Sequence, residues 1–156
     1  MFGVGLVGMF LLWVKDMFLD VLDGRWLGAV KHYAMHERDK VPPAGKYNAG
    51  QKLFFWVQSL LGIVFVATGL LLWFPESFGA GLLNTMRLLH YAATLAAGLL
   101  LILHVYLGTV AYPGTARGMI DGKVTTAWAR LHHPRWSGDR VEHNLDGASA
   151  RTPRGP

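Results

Sequence analysis

Two long stretches without a formal charge, Leu53–Phe74 and Leu88–Tyr112, dominate the hydrophobic pattern of the chain. A hydrocarbon core of about 30 Å takes about 20 helical residues to cross, and each stretch exceeds that length, so each predicts a membrane-spanning helix. A third apolar run, Phe2–Val14, is too short to cross and lacks the basic leader and small-residue cleavage site of a signal peptide. It reads as the second half of a span. The polar segment 15–52 predicts an interfacial helix over Met17–Tyr33, with Met17, Phe18, Val21, Leu22, Trp26 and Val30 toward the bilayer and Gly24 and Gly28 weakening it. Pro42-Pro43-Ala44-Gly45 then punctuates the chain, Pro75 ends the first long span, and Pro113-Gly114 closes the second. Beyond it the pattern predicts a short helix over Lys123–Leu131 and a Gly/Ala/Arg/Pro tail without regular structure. The expected fold class is all-α: a transmembrane helix bundle with partial span 2–14 and full spans 53–74 and 88–112. The membrane domain covers 1–130, and 131–156 is a cytoplasmic, largely disordered tail.

Composition supports this division, since 52% of the 156 residues are hydrophobic and 16% charged, with a mean hydropathy of +0.28. The net charge of +5 does not imply a nucleic-acid partner, because the basic residues flank the spans, where lipid headgroups account for them. Segment 15–52 holds seven Lys and Arg, the segment after Pro113 another seven, and the 75–87 connection only Arg87. By the positive-inside rule 15–52 and 113–156 face the cytoplasm, which predicts a multi-pass membrane protein. With no cysteine in the chain, disulfides and thiolate-ligated clusters are excluded.

The second long span carries two histidines, His90 and His104. At 1.5 Å and 100° per residue the step between them is about 21 Å and about 1400°, roughly 40° short of whole turns. Both imidazoles therefore leave one face, His90 near the outer surface and His104 near the inner one. Ala93, Thr94, Ala97 and Gly98 leave room between them for a flat, bulky ligand. One reading makes each histidine a hydrogen-bond partner of a neighbouring helix; the other makes each an axial ligand of a b-type haem iron. One helix gives each iron one ligand. The remaining histidines, His32, His36, His132, His133 and His143, lie outside the spans, so the second ligands would come from elsewhere. Arg87, one turn before His90, fits either a haem propionate or the membrane interface. Asn48 reads as a helix N-cap, and no second ligand pair makes a metal site of His132-His133.

Lys46-Tyr47-Asn48-Ala49-Gly50-Gln51-Lys52 before an apolar span, the two histidines on the next span, and the RGMIDGKVTTAWARLHHPRW ending resemble the gamma subunit of membrane-bound formate dehydrogenase, a di-haem cytochrome b. The resemblance covers about Phe2 to Trp136. It implies a four-helix family in which His90 ligates an outer haem b and His104 an inner one. Asn48, Gly50 and Gln51, with His104, then match positions lining a quinone site. It further implies a place in the bacterial inner (cytoplasmic) membrane and a non-catalytic electron-transfer role, from an iron–sulfur beta subunit through two b haems to quinone, beside a molybdenum- or tungsten-containing catalytic alpha subunit. Family members carry further ligand histidines on helix one and early in helix two, the latter falling just before Met1. An upstream extension of the reading frame is therefore expected. Hydrogenase and thiosulfate reductase cytochromes b share the same logic, and a haem-free anchor for a peripheral oxidoreductase is the alternative of a different class.

Overall fold

The computed structural model describes residues 2–138 and is all-α, with helices and no strand among those residues. In chain order the helices are α1 (Phe2–Trp13), α2 (Val21–Gly28), α3 (Val30–Ala34), α4 (Ala49–Trp73), α5 (Ala80–Tyr106), α6 (Arg117–Ile120) and α7 (Thr126–His132). A π-helical turn, Leu107–Ala111, continues α5, and a further helical stretch begins at 134. Ala49–Trp73 and Ala80–Ala111 are the helices long and apolar enough to cross a membrane.

These residues fall into two compact units, one of 2–18 with Leu53–Ala116, the other of Leu19–Lys52 with 117–138. In the first, α1 lies against α4. Leu6 fills the space beside Gly62, where a Cβ would come within 2.7 Å of it, and Phe10 stacks on Phe55 at 5.6 Å. The Trp56 indole N–H donates to Met17 O at 2.9 Å. Helix α5 carries most of its apolar side chains on the outside, with only Leu83 and Ala93 buried, as expected of a helix whose solvent is lipid. Thr94 on α5 and Thr109 in the π-helical turn return their hydroxyls to the carbonyls four residues back, which satisfies them without a second helix.

The second unit differs from the single interfacial helix expected over 17–33. Asp20 accepts from the Leu22 and Asp23 amides, and Asp23 accepts in turn from the Asp20 amide. This reciprocal cap starts a new helix at Val21, and α2 ends at Ala29 before α3 begins. Trp26 consequently faces protein: it is buried and packs on Tyr33 at 4.7 Å; Met17, in the first unit, is buried as well. Val21 and Phe18 do stay exposed.

Helix α5 starts at Ala80, ahead of the uncharged run, which places Arg87 inside the helix and not at its beginning. Where the sequence suggested a tail from 131, the chain is helical up to 132 and again over 134–138. The Arg135 amide donates to Ala44 O and His133 is buried, which ties this stretch to its own unit. The rest of the expected disordered tail, 139–156, lies outside the described residues, as does His143.

Candidate functional site

Both spanning histidines lie against α4. The Thr68 hydroxyl is 2.6 Å from Val64 O and 2.8 Å from His90 Nδ1. A carbonyl can only accept, so the hydroxyl proton goes to Val64 and the oxygen accepts from His90 Nδ1–H. That fixes the tautomer and leaves His90 Nε2 with its lone pair. The Phe65 ring stands edge-on to His90 at 5.2 Å, and Gly69 presents no side chain beside Cε1. His104 is held differently: its ring stacks on Phe54 at 4.6 Å and 12°. The interval from Phe54 to Thr68 equals that from His90 to His104, taken in the opposite chain direction. Two antiparallel helices thus seat both imidazoles in one register.

Sequence reasoning missed Thr68, Phe54 and Phe65. The available signal was a hydroxyl in an apolar span, as far from an aromatic as His90 is from His104. Arg87 remains exposed and donates to Asn84 Oδ1 at 2.8 Å, so it does not meet His90. Among the described residues no three His, Asp or Glu side chains converge as a metal centre. What His90 and His104 offer is one imidazole nitrogen apiece in apolar surroundings, a donor set that fits haem iron.

The junction residues Asn48, Gly50 and Gln51 come together in the other unit from His104. Asn48 Oδ1 accepts from the Gln51 amide and Gln51 Oε1 from the Asn48 amide, each at 2.9 Å. This is a capping box at the start of α4. Both side-chain oxygens are thereby used, and both amide NH2 groups remain as donors. Gly50 is covered by Trp26: a Cβ there would lie 3.3 Å from the indole Cη2 and from Asn48 Oδ1. In the same unit Lys52 Nζ donates to Asp23 Oδ2 at 2.6 Å, with side chains only 10% and 9% exposed. The Asp23 amide holds the Asp20 carboxyl below its ordinary range, against the opposing effect of burial.

His133 is not a surface feature. Its Nδ1–H donates to Gly45 O at 2.8 Å, while Trp128 stacks on His132 at 4.5 Å and tilts toward His133 at 5.3 Å. Burial pushes the His133 imidazole below the ordinary 6.5, the bond to Gly45 working the other way. The folded state therefore prefers the neutral ring. Its contribution is complete above about pH 6.5 and declines as pH falls toward the lower folded value, where only the unfolded chain takes up the proton. Hydrogen exchange at the Arg135 amide, which bonds Ala44 O, should show its protection factor falling between about pH 7 and pH 5. A factor constant across that range would show that His133 does not control this docking.

The sequence model of a family described as "Prokaryotic cytochrome b561" matches residues 1–122. The chain is 36% identical over 138 residues to the "Formate dehydrogenase, nitrate-inducible, cytochrome b556(Fdn) subunit" of Escherichia coli K12, covering 85% of this chain and 62% of that protein. It is 33% identical over 127 residues to the "Formate dehydrogenase, cytochrome b556 subunit" of Haemophilus influenzae, with 80% and 53% covered. The chain thus spans a little over half the length of these curated relatives.

Proposed function

Since the chain belongs to the prokaryotic cytochrome b561 family, we propose that it is the membrane cytochrome b subunit of a formate dehydrogenase. It would pass electrons from an iron–sulfur partner subunit through two b haems to a quinone, while formate is oxidised on a molybdenum- or tungsten-containing catalytic subunit. The observation that supports this best is the pairing of His90 and His104 with Thr68 and Phe54 at one common interval. In this reading His90 and His104 would each hold a haem iron through one imidazole nitrogen, and the second ligand of each iron would come from outside the two spans. A b-type haem with two imidazoles supplies reversible one-electron transfer and leaves no iron position for oxygen.

Lys and Arg distribution supports a multi-pass protein with 15–52 and 113–156 cytoplasmic, and the bacterial relatives support the inner membrane as its location. His90 is then toward the outer surface and His104 toward the cytoplasm, where protons for quinol formation are taken up. Asn48 and Gln51 give their amide N–H groups to the quinone oxygens. Gly50 serves close packing by Trp26, and Arg87, held by Asn84, serves the interface or a propionate.

Asn48→Asp tests the quinone assignment, because aspartate keeps the capping oxygen and loses the amide donor. Even complete loss of the cap would cost only about 1 kcal/mol. In membranes holding the assembled complex, formate-driven haem reduction should be normal and reoxidation by a quinone analogue several-fold slower. Reoxidation at the wild-type rate would leave Asn48 as a helix cap and remove the junction from the quinone site.

A further inference from the structure

His90 and His104 are chemically the same residue on the same helix, yet their neighbours on α4 differ in kind. Thr68, 3% exposed, links His90 Nδ1–H to the Val64 carbonyl through two short hydrogen bonds. His104 meets the face of Phe54, and among the described residues no hydrogen bond reaches its ring. A carbonyl that takes the hydroxyl proton polarises the oxygen and makes it a better acceptor for Nδ1–H. An imidazole whose Nδ1–H is drawn upon becomes a more basic donor at Nε2. Stronger donation stabilises ferric iron over ferrous iron and lowers its potential.

Resting on the haem reading above, we propose that Thr68 is a positioning residue for His90. It fixes the ring as the Nδ1–H tautomer, leaves Nε2 as the nitrogen with the lone pair, and holds the potential of the iron at His90 below that of the iron at His104. The unequal ligands then give electrons entering at the His90 end a downhill course toward His104. Phe65 and Gly69 complete the arrangement. The edge-on ring restrains the imidazole plane, and Gly69 lies beside Cε1, where a Cβ would be 3.9 Å away.

Two variants and two measurements separate this role from a hydroxyl that merely satisfies itself. Thr68→Val keeps the shape and removes both hydrogen bonds, whereas Thr68→Ser keeps the hydroxyl. The first measurement needs no haem: 15N NMR of the histidine-labelled full chain in detergent micelles. Wild type and Thr68→Ser should show His90 protonated at Nδ1 only, and Thr68→Val a mixture of tautomers. The second is a redox titration of the assembled complex, followed by its visible spectrum. Thr68→Val should raise the lower of the two potentials and leave the other in place, narrowing the gap, and Thr68→Ser should restore the gap.

If Thr68→Val changes the His90 nitrogen signals while both potentials stay fixed, Thr68 does not tune the iron and the redox part is overturned. If neither signals nor potentials change, the whole proposal is overturned. A complex without b-type bands would instead refute the haem reading, and the nitrogen signals would still decide whether Thr68 sets the tautomer.

Discussion

Alanine at His90, or at His104, is expected to delete one b-type haem from the assembled complex while leaving the other in place. Each imidazole is the only histidine on its stretch of α5, and alanine at that point offers the iron no donor. The two variants should then fail differently. His90→Ala stops formate-driven reduction of the remaining haem and of quinone, because electrons no longer enter. His104→Ala leaves the haem at His90 reducible by formate and blocks its reoxidation by quinone. The pyridine haemochrome content of each purified variant complex, together with a reduced-minus-oxidised spectrum, would measure this. Wild-type haem content in both variants would remove these histidines from the iron, and absence of haem from the wild-type complex would favour a haem-free anchor.

Lys52→Met should be the most damaging substitution outside the spans. The Lys52–Asp23 pair is almost fully removed from water, so methionine leaves Asp23 buried with a charge and no counter-ion. Breaking such a pair from one side costs about 3–5 kcal/mol, enough to erase much of the stability of a small domain. The damage should spread to the Asp20 cap and the start of α4, since Asp23 Oδ2 also accepts from the Asp20 amide. Neutralising the partner separates an orphaned charge from a lost contact. Lys52→Met with Asp23→Asn keeps the acceptor for Asp20 and should recover most of the loss in a thermal melt of the full chain in detergent. A double variant no more stable than the single one would mean that packing of the lysine stem, and not the stranded carboxylate, carries the effect.

The all-α membrane fold was legible because charge-free runs of span length leave few alternatives. The ends of the helices were less so. Asn84, Thr85 and Arg87 read as a connection, yet they lie in the opening turns of α5. Little in Ala80–Arg87 beyond Gly81 opposes helix, and Gly79 precedes it in extended backbone. The start of α2 at Val21, inside the single helix expected over 17–33, was hidden for a different reason. A reciprocal cap by Asp20 and Asp23 outweighs the apolar periodicity that ran across it. Of the candidate site, the two histidines could be read directly, since ionisable groups in a span are costly. Their partners could not. Which residue of α4 meets His90 depends on the register between two helices, and helical periodicity within either one is silent on that offset. The cover that Trp26 places over Gly50 was equally out of reach, because the chain between the two residues has no fixed geometry in the sequence.

The common interval on α4 and α5 makes the two helices matched rulers, and this restricts how such a chain can change length. A residue inserted between Phe54 and Thr68 would turn everything beyond it by about 100° and advance it by about 1.5 Å. One of the two histidine seats would then face lipid while the other stayed in place. An insertion between His90 and His104 has the mirror effect. Descendants of this chain can therefore exchange side chains along either span one at a time. They can lengthen the interval between the seats only by paired events on both helices, or by whole turns that return each group to its face.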